Sequence, residues 1–157
     1  MESLIGTYEC KTDSKGRVMM AAGLKKQLES VVREGFVLKR SVFQPCLELY
    51  PMQEWKKVMG QVSKLNRFVK KNNDFIRLFT AGVKNVELDA SGRLLLPKDL
   101  LVYSKIGKEV VFSSAVSIIE IWDKQLYEDA IEGAMDDFAE LAEQVMGGLN
   151  TEENELS

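Results

Sequence analysis

Residues 11–17 read KTDSKGR and residues 87–93 read ELDASGR, so one chain writes Asp-x-x-Gly-Arg twice, 76 positions apart, each time ahead of an apolar run. The match extends outward at the same offset. Gly6 falls on Gly82, Asp13 on Asp89, Gly16 on Gly92, Arg17 on Arg93, Val18-Met19-Met20 on Leu94-Leu95-Leu96, and Leu24 on Leu100. Farther along, Leu47-Glu48-Leu49-Tyr50 corresponds to Ile119-Glu120-Ile121-Trp122 at an offset of 72, so the first copy carries four additional residues in between. Two of them fit a longer hairpin in KRSVFQPC (39–46) than in SSAVSI (113–118). One unit is written twice.

Each copy reads the same way. A strand (6–12; 82–88) enters the turn, a second strand leaves it (17–20; 93–96), and a short helix follows (24–32; 98–103). The second of these helices begins after Pro97, a residue suited to a helix start. Two further strands come next (36–40 and 46–50; 110–113 and 117–122), rich in β-branched and aromatic residues and separated by turn residues. A terminal helix closes each copy. In 53–69, Trp55, Val58, Met59, Val62, Leu65 and Val69 recur at helical spacing, with Lys57, Lys64, Arg67, Lys70 and Lys71 around them. A short helix over 74–80 is expected after Asn72-Asn73. In the second copy Leu126, Ala130, Ile131, Ala134, Phe138, Leu141 and Val145 form the stripe, opposite an acidic face. Gly147-Gly148 is expected to end that helix, and the polar NTEENELS to be disordered. The expected organisation is a first repeat with basic helices (1–80), a second repeat with an acidic helix (81–146) and a flexible acidic tail (147–157).

The repeated turn has a structural reason to exist. Asp at the first position of a turn accepts backbone N–H bonds, and Gly three residues later tolerates positive φ. Asp13, Gly16, Asp89 and Gly92 are therefore read as shaping the loop. Arg17 and Arg93 leave two readings open. Either each guanidinium partners its turn Asp or is simply an exposed charge, or a rigid turn holds the fork outward, where it suits phosphate oxygens or guanine O6 and N7. Lys11 and Lys15 flank Arg17 and add candidate phosphate contacts, whereas the second copy has Glu87 and Ser91 at those positions. The two loops are not expected to bind equally, and Arg17 is the stronger candidate.

Composition narrows the function classes. The chain of 157 residues is long enough for one domain or two small ones sharing a core, with no need of metal or disulfide staples. It contains no histidine and only two cysteines, Cys10 and Cys46, in no C-x-x-C arrangement. That removes Ser-His-Asp and Cys-His catalysis and every His-containing zinc site. Both cysteines read as small buried hydrophobes in a reducing compartment. Nucleotide-binding glycine loops and a G-x-S-x-G elbow are also absent, so neither enzyme activity nor a cofactor nor a small-molecule substrate is expected. No apolar stretch is long enough for a membrane span, and MESLIGTYECK lacks the features of a signal peptide, so a cytoplasmic location is expected. The net charge of −3 conceals an asymmetry. Residues 128–157 hold ten acids and no Lys or Arg, which leaves 21 basic against 14 acidic residues in 1–127, a body of net +7. Such a body suits a polyanion partner.

Two copies of Asp-x-x-Gly-Arg, each inside a β-turn-β-helix unit and each followed by C-L-E-L-Y-P (46–51) or I-E-I-W (119–122) and a helix, resemble the MraZ family of tandem-repeat transcriptional regulators in the SpoVT/AbrB-like superfamily. The resemblance spans about residues 1–145. It implies an α+β fold: two pseudo-repeats of a swapped-hairpin β-barrel unit with flanking amphipathic helices, and subunits closing into a ring homo-oligomer. It further implies a nucleoid-associated protein that binds short direct repeats in double-stranded promoter DNA of the division and cell-wall gene cluster. By carry-over, Arg17, Arg93 and the flanking Lys11, Ser14, Lys15 and Ser91 are the DNA contacts. One departure stands out. The family's apolar-Pro pair after the loop is present as Leu96-Pro97 but replaced by Met20-Ala21 in the first copy, which weakens the expected start of the first helix. The rival reading is a structural oligomer in which the basic and acidic helices pair between subunits without specific DNA binding.

Overall fold

The computed structural model describes residues 3–156, with side chains described to Leu149. The first copy contributes β1 (Thr7–Lys11), β2 (Arg17–Met19), α1 (Ala22–Gln27), β3 (Phe36–Arg40), β4 (Leu47–Pro51), α2 (Met52–Val62) and α3 (Lys70–Thr80). The second contributes β5 (Lys84–Val86), β6 (Arg93–Leu95), α4 (Lys98–Ser104), β7 (Glu109–Ala115), β8 (Ile118–Asp123), α5 (Lys124–Met135) and α6 (Phe138–Leu156).

The copies do not fold side by side; they interleave. The main sheet runs β1-β7-β8-β4-β3-β5, all antiparallel, and reads the same from either end once equivalent strands are exchanged. Thus β1 of the first copy pairs with β7 of the second, and β5 of the second pairs with β3 of the first. Strands β2 and β6 form a separate two-stranded ribbon with Val18 opposite Leu94. Bridges Thr12–Val18 and Leu88–Leu94 connect that ribbon to β1 and β5, which closes the strands into a barrel. The α+β, swapped-hairpin architecture follows from these pairings.

Equivalent residues fill the core in pairs: Val18 with Leu94, Met20 with Leu96, Leu24 with Leu100, Leu38 with Phe112 and Leu49 with Ile121, all essentially buried. Neither copy contains a closed core of its own. Burying so much apolar side chain is the main force holding the body together. Lys39 breaks the symmetry, since its equivalent across the copies is Ser113. Fully buried, Lys39 directs Nζ to the Arg40 carbonyl (2.6 Å), to Glu48 Oε1 (3.2 Å) and over the Phe79 ring (4.5 Å). Glu48 needs that cation, because Glu120 stands directly opposite it on β8.

Three helices of residues 1–124 differ from the expectation. The first starts at Ala22 despite lacking proline: Ala21 adopts φ −57°, ψ 139°, close to the −58°, 147° of Pro97. It stops at Gln27, and the chain tightens into a 3₁₀ turn at Val32–Glu34, ahead of Gly35 at φ 81°. Ser30 and the β-branched Val31-Val32 pair give little helical support there. The expected 53–69 helix ends at Val62. Asn66 breaks the pattern: its Oδ1 accepts the Phe68 N–H, and its carbonyl accepts the Asn72 amide. Helix α3 begins at Lys70 and takes in Asn72-Asn73, with Lys70 paired to Asp74 one turn on. Trp55, Phe75 and Phe79 stack between α2 and α3.

Contacts divide the chain into residues 1–124 and 125–157. In the second unit the expected single helix is two, separated at Asp136-Asp137, and α6 continues through Gly147-Gly148 to Leu156 rather than ending there. Ile131, Met135, Phe138, Leu141, Val145 and Met146 are exposed.

Candidate nucleic-acid interface

Each turn is organised by one carboxylate. Asp13 Oδ1 accepts the backbone N–H groups of Lys15 and Arg17, both at 2.9 Å, and Asp89 Oδ1 accepts those of Ser91 and Arg93, again at 2.9 Å. The main chain repeats the pattern: the Asp13 N–H donates to the Arg17 carbonyl and the Gly16 N–H to the Asp13 carbonyl, with equivalent bonds at Asp89 and Gly92. Gly16 and Gly92 sit at φ 81° and 82°, where an L side chain is strained. The backbone bond from Arg17, followed by the bond and charge of its side chain and the Lys15 N–H, lowers the Asp13 pKa to about 2. The Asp89 carboxyl is lowered for the same reasons, led by the Arg93 N–H.

The second Asp oxygen binds the arginine. Arg17 Nε donates to Asp13 Oδ2 at 2.7 Å, and Arg93 Nε to Asp89 Oδ2 at 3.0 Å. The geometry accommodates both readings of these arginines. Nε is held by the turn, the Nη groups make no hydrogen bond within the described residues, and the side chains stay about a third exposed (30% and 32%). An exposed pair of this kind adds little stability. Its consequence is orientation, because the fork loses rotamer freedom before any ligand arrives.

The ribbon places the two forks on one surface. Arg17 is opposite Leu95 and Met19 opposite Arg93, so these four side chains share the face away from buried Val18 and Leu94. The two arginines are diagonal neighbours, a relation that ordinarily separates residues by about 7–8 Å and their Cβ atoms by somewhat less. Cross-copy bonds lock the arrangement: the Leu96 N–H donates to the Gly16 carbonyl and the Met20 N–H to the Gly92 carbonyl. Ser14, Lys15 and Ser91 are exposed on the turns. Lys11 is placed differently. It ends β1 opposite Glu109 and lines a shallow cavity with Glu9, Cys10, Glu109 and Lys124, so only Lys15 of the two flanking lysines belongs to the turn.

Three residues of this surface escape a linear reading. Met19 and Leu95 are about half exposed between the arginines, although each lies in the apolar run that follows its turn. Strict period-two alternation from buried Val18 and Leu94 was the available signal. Lys25, on α1, lies against Gly92 of the other copy: a β-carbon placed on Gly92 would stand 2.6 Å from its Nζ. No sequence signal places it there. Burial raises the thiol pKa of Cys46 to about 12 and also raises that of Cys10. Among the described residues no cluster of His, Cys, Asp and Glu could hold a metal ion, and no helix is long and apolar enough to cross a membrane.

A family model described as "MraZ protein, putative antitoxin-like" matches residues 4–78 and again 79–147. The chain is similar to a protein of Flavobacterium psychrophilum named Transcriptional regulator MraZ, 64% identical over 157 residues that span the whole of both chains. Proteins of the same name from Christiangramia forsetii (63% over 147 residues, 94% of this chain and 95% of that one) and Phocaeicola vulgatus (36% over 152 residues, 96% and 98%) are also similar. The chain belongs to the MraZ family.

Proposed function

We propose that this member of the MraZ family is a DNA-binding transcriptional regulator that recognises specific promoter sequence through the β2–β6 ribbon. One observation carries the reading: two Asp-anchored arginines, from turns 76 residues apart, are set on one face of a two-stranded ribbon. A major groove admits such a ribbon. The free Nη groups of Arg17 and Arg93 suit guanine O6 and N7, and exposed Met19 and Leu95 suit thymine methyl groups. Lys15, with Ser14 and Ser91, supplies backbone contacts that fix register, while Lys11 contributes field rather than contact. The names of the similar proteins and the net +7 of residues 1–127 support the same conclusion.

A single ribbon has a small footprint, so several copies acting together are part of the proposal. Linked sites raise avidity by about 10²–10⁴. The exposed apolar side chains of α5 and α6, with Phe75 and Leu78 of α3, support self-association into a ring homo-oligomer. Head-to-tail closure would present ribbons in a repeating array, matched to short direct repeats upstream of a division and cell-wall gene cluster. In this scheme residues 1–80 and 81–146 each supply one turn, and the protein works at the nucleoid in the cytoplasm.

Those same apolar helices favour the second reading, assembly without specific DNA binding. Fluorescence anisotropy with duplex DNA from upstream of the protein's own gene, against scrambled duplex, separates the two. Wild type should prefer the native duplex by about 10³ or more, and the folded Arg17→Ala/Arg93→Ala variant should lose that preference. Weak and equal binding of every duplex by both proteins would leave the assembly reading.

A further inference from the structure

The two turns differ in local charge: Lys15 of the first corresponds to Ser91 of the second, and Lys11 to Glu87. We propose that Lys25, from α1 of the first copy, is the phosphate-contacting cation of the second turn, replacing the lysine its own sequence lacks. The inference rests on the DNA-binding reading and adds a contact residue to it.

The interleaved fold supplies the geometry. Because β2 pairs with β6, α1 follows β2 directly onto the neighbourhood of the opposite turn. There Lys25 runs along Gly92, with Nζ, Cε and Cδ at 2.6, 3.4 and 3.7 Å from where a β-carbon on that glycine would lie. A β-carbon on Gly92 would displace the ammonium from this position. The equivalent of Lys25 across the repeat is Leu101, whose Cδ1 occupies the matching position at Gly16, 3.1 Å from its would-be β-carbon. Thus the first turn has a local, exposed lysine and an apolar cover on its glycine, and the second has no local lysine but a cationic cover on its glycine.

The ammonium is available. Lys25 is exposed, and its side chain forms no hydrogen bond or ion pair within the described residues. The nearest acid of the turn, Asp89, is occupied by Arg93. Glu87 lies with its Cγ against Gly35. An unpaired cation against Gly92, the residue before the oriented Arg93, suits contact with a phosphodiester. Lys26 shares the end of α1 but is not among the nearest neighbours of either turn glycine, which makes it the natural control.

The test uses the full chain and a fluorescein-labelled duplex from upstream of its own gene, with a scrambled duplex, titrated from about 50 to about 200 mM salt. Lys25→Gln should weaken binding to both duplexes by about threefold to tenfold per second turn engaged. It should also lower the slope of log affinity against log salt by about 0.9 for each such turn, leaving the preference for native DNA unchanged. Lys25→Arg should retain the slope, and adding Ser91→Lys to Lys25→Gln should restore it. Lys26→Gln should lower the slope by less than Lys25→Gln. Suppose wild type prefers native DNA but Lys25→Gln keeps the wild-type slope, or Lys26→Gln loses as much. Then Lys25 is not a contact of the second turn, and the DNA reading survives. If wild type shows no preference, the DNA reading fails and this inference falls with it.

Discussion

The first turn, Asp13 to Arg17, and the second, Asp89 to Arg93, repeat the same hydrogen bonds residue for residue, yet draw charge from different places. One carboxylate, two backbone donors, one Nε and one left-handed glycine suffice to reproduce the loop. Around that loop the copies diverge: Lys15 and the Leu101 cover on one side, Ser91 and the Lys25 cover on the other. Backbone geometry is duplicated because four local residues encode it. Electrostatic surroundings are free to vary because neighbours distant in sequence share in supplying them.

The most severe challenge to this comparison is a change at the axis the turns share. Leu94 is fully buried opposite Val18. Leu94→Ala should cost about 2–5 kcal/mol by urea unfolding. Hydrogen exchange should quicken together at the Met20 and Leu96 amides, which bond to the opposite Gly92 and Gly16 carbonyls. Loss of protection at one amide alone would show that the turns are not mechanically joined.

Glycine substitutions sharpen the contrast. Gly16→Ala and Gly92→Ala share the strain of positive φ, about 1–2 kcal/mol. A methyl at Gly16 also meets Leu101 Cδ1 at 3.1 Å and the Leu96 carbonyl oxygen at 3.3 Å, whereas at Gly92 it meets the movable end of Lys25. Gly16→Ala should therefore show the larger fall in stability. Equal losses would mean that the two covers yield alike.

Acid titration has the smallest expected effect. The native Asp13 pKa, at about 2, lies below the ordinary 3.8. Its contribution is therefore fully present above about 4 and lost as pH falls towards 2. Asp13→Asn should lower Tm at neutral pH, with the gap from wild type closing across that window. Asp89→Asn should behave with the same sign, because the Asp89 pKa is also lowered. A gap that stayed constant to pH 2 would remove the carboxylate charge as the cause.

Legibility followed the range of the interactions. Strand 36–40 was readable to the residue, since Phe36-Val37-Leu38 and the Lys39-Arg40 pair after it are bounded by Gly35 and Ser41. Helix 53–69 was misread because its apolar spacing runs on past Val62, while Asn66 offers the backbone hydrogen bonds that a periodicity count does not register. The passage of α6 through Gly147-Gly148 shows the opposite error: glycine weakens a helix but does not oblige it to stop. In the site, Asp13, Gly16, Asp89 and Gly92 announce their turn role through spacing alone. The pairing of Arg17 and Arg93 with their own aspartates was one of two open readings until side-chain geometry settled where Nε goes.

By itself, then, the sequence determined that one unit is present twice, that each copy contains an Asp-Gly turn followed by Arg, and that the body is basic; each is a property of composition or of contacts within a few residues. Only the tertiary structure decided that β1 pairs with β7 and β5 with β3, that both arginines share one ribbon face, and that Lys25 stands over the other copy's turn. The reason is that two equal half-barrels bury their apolar faces fully only when their strands interleave. That choice depends on the summed burial of pairs such as Leu24 with Leu100 and Leu38 with Phe112, and no local window of the chain contains both members.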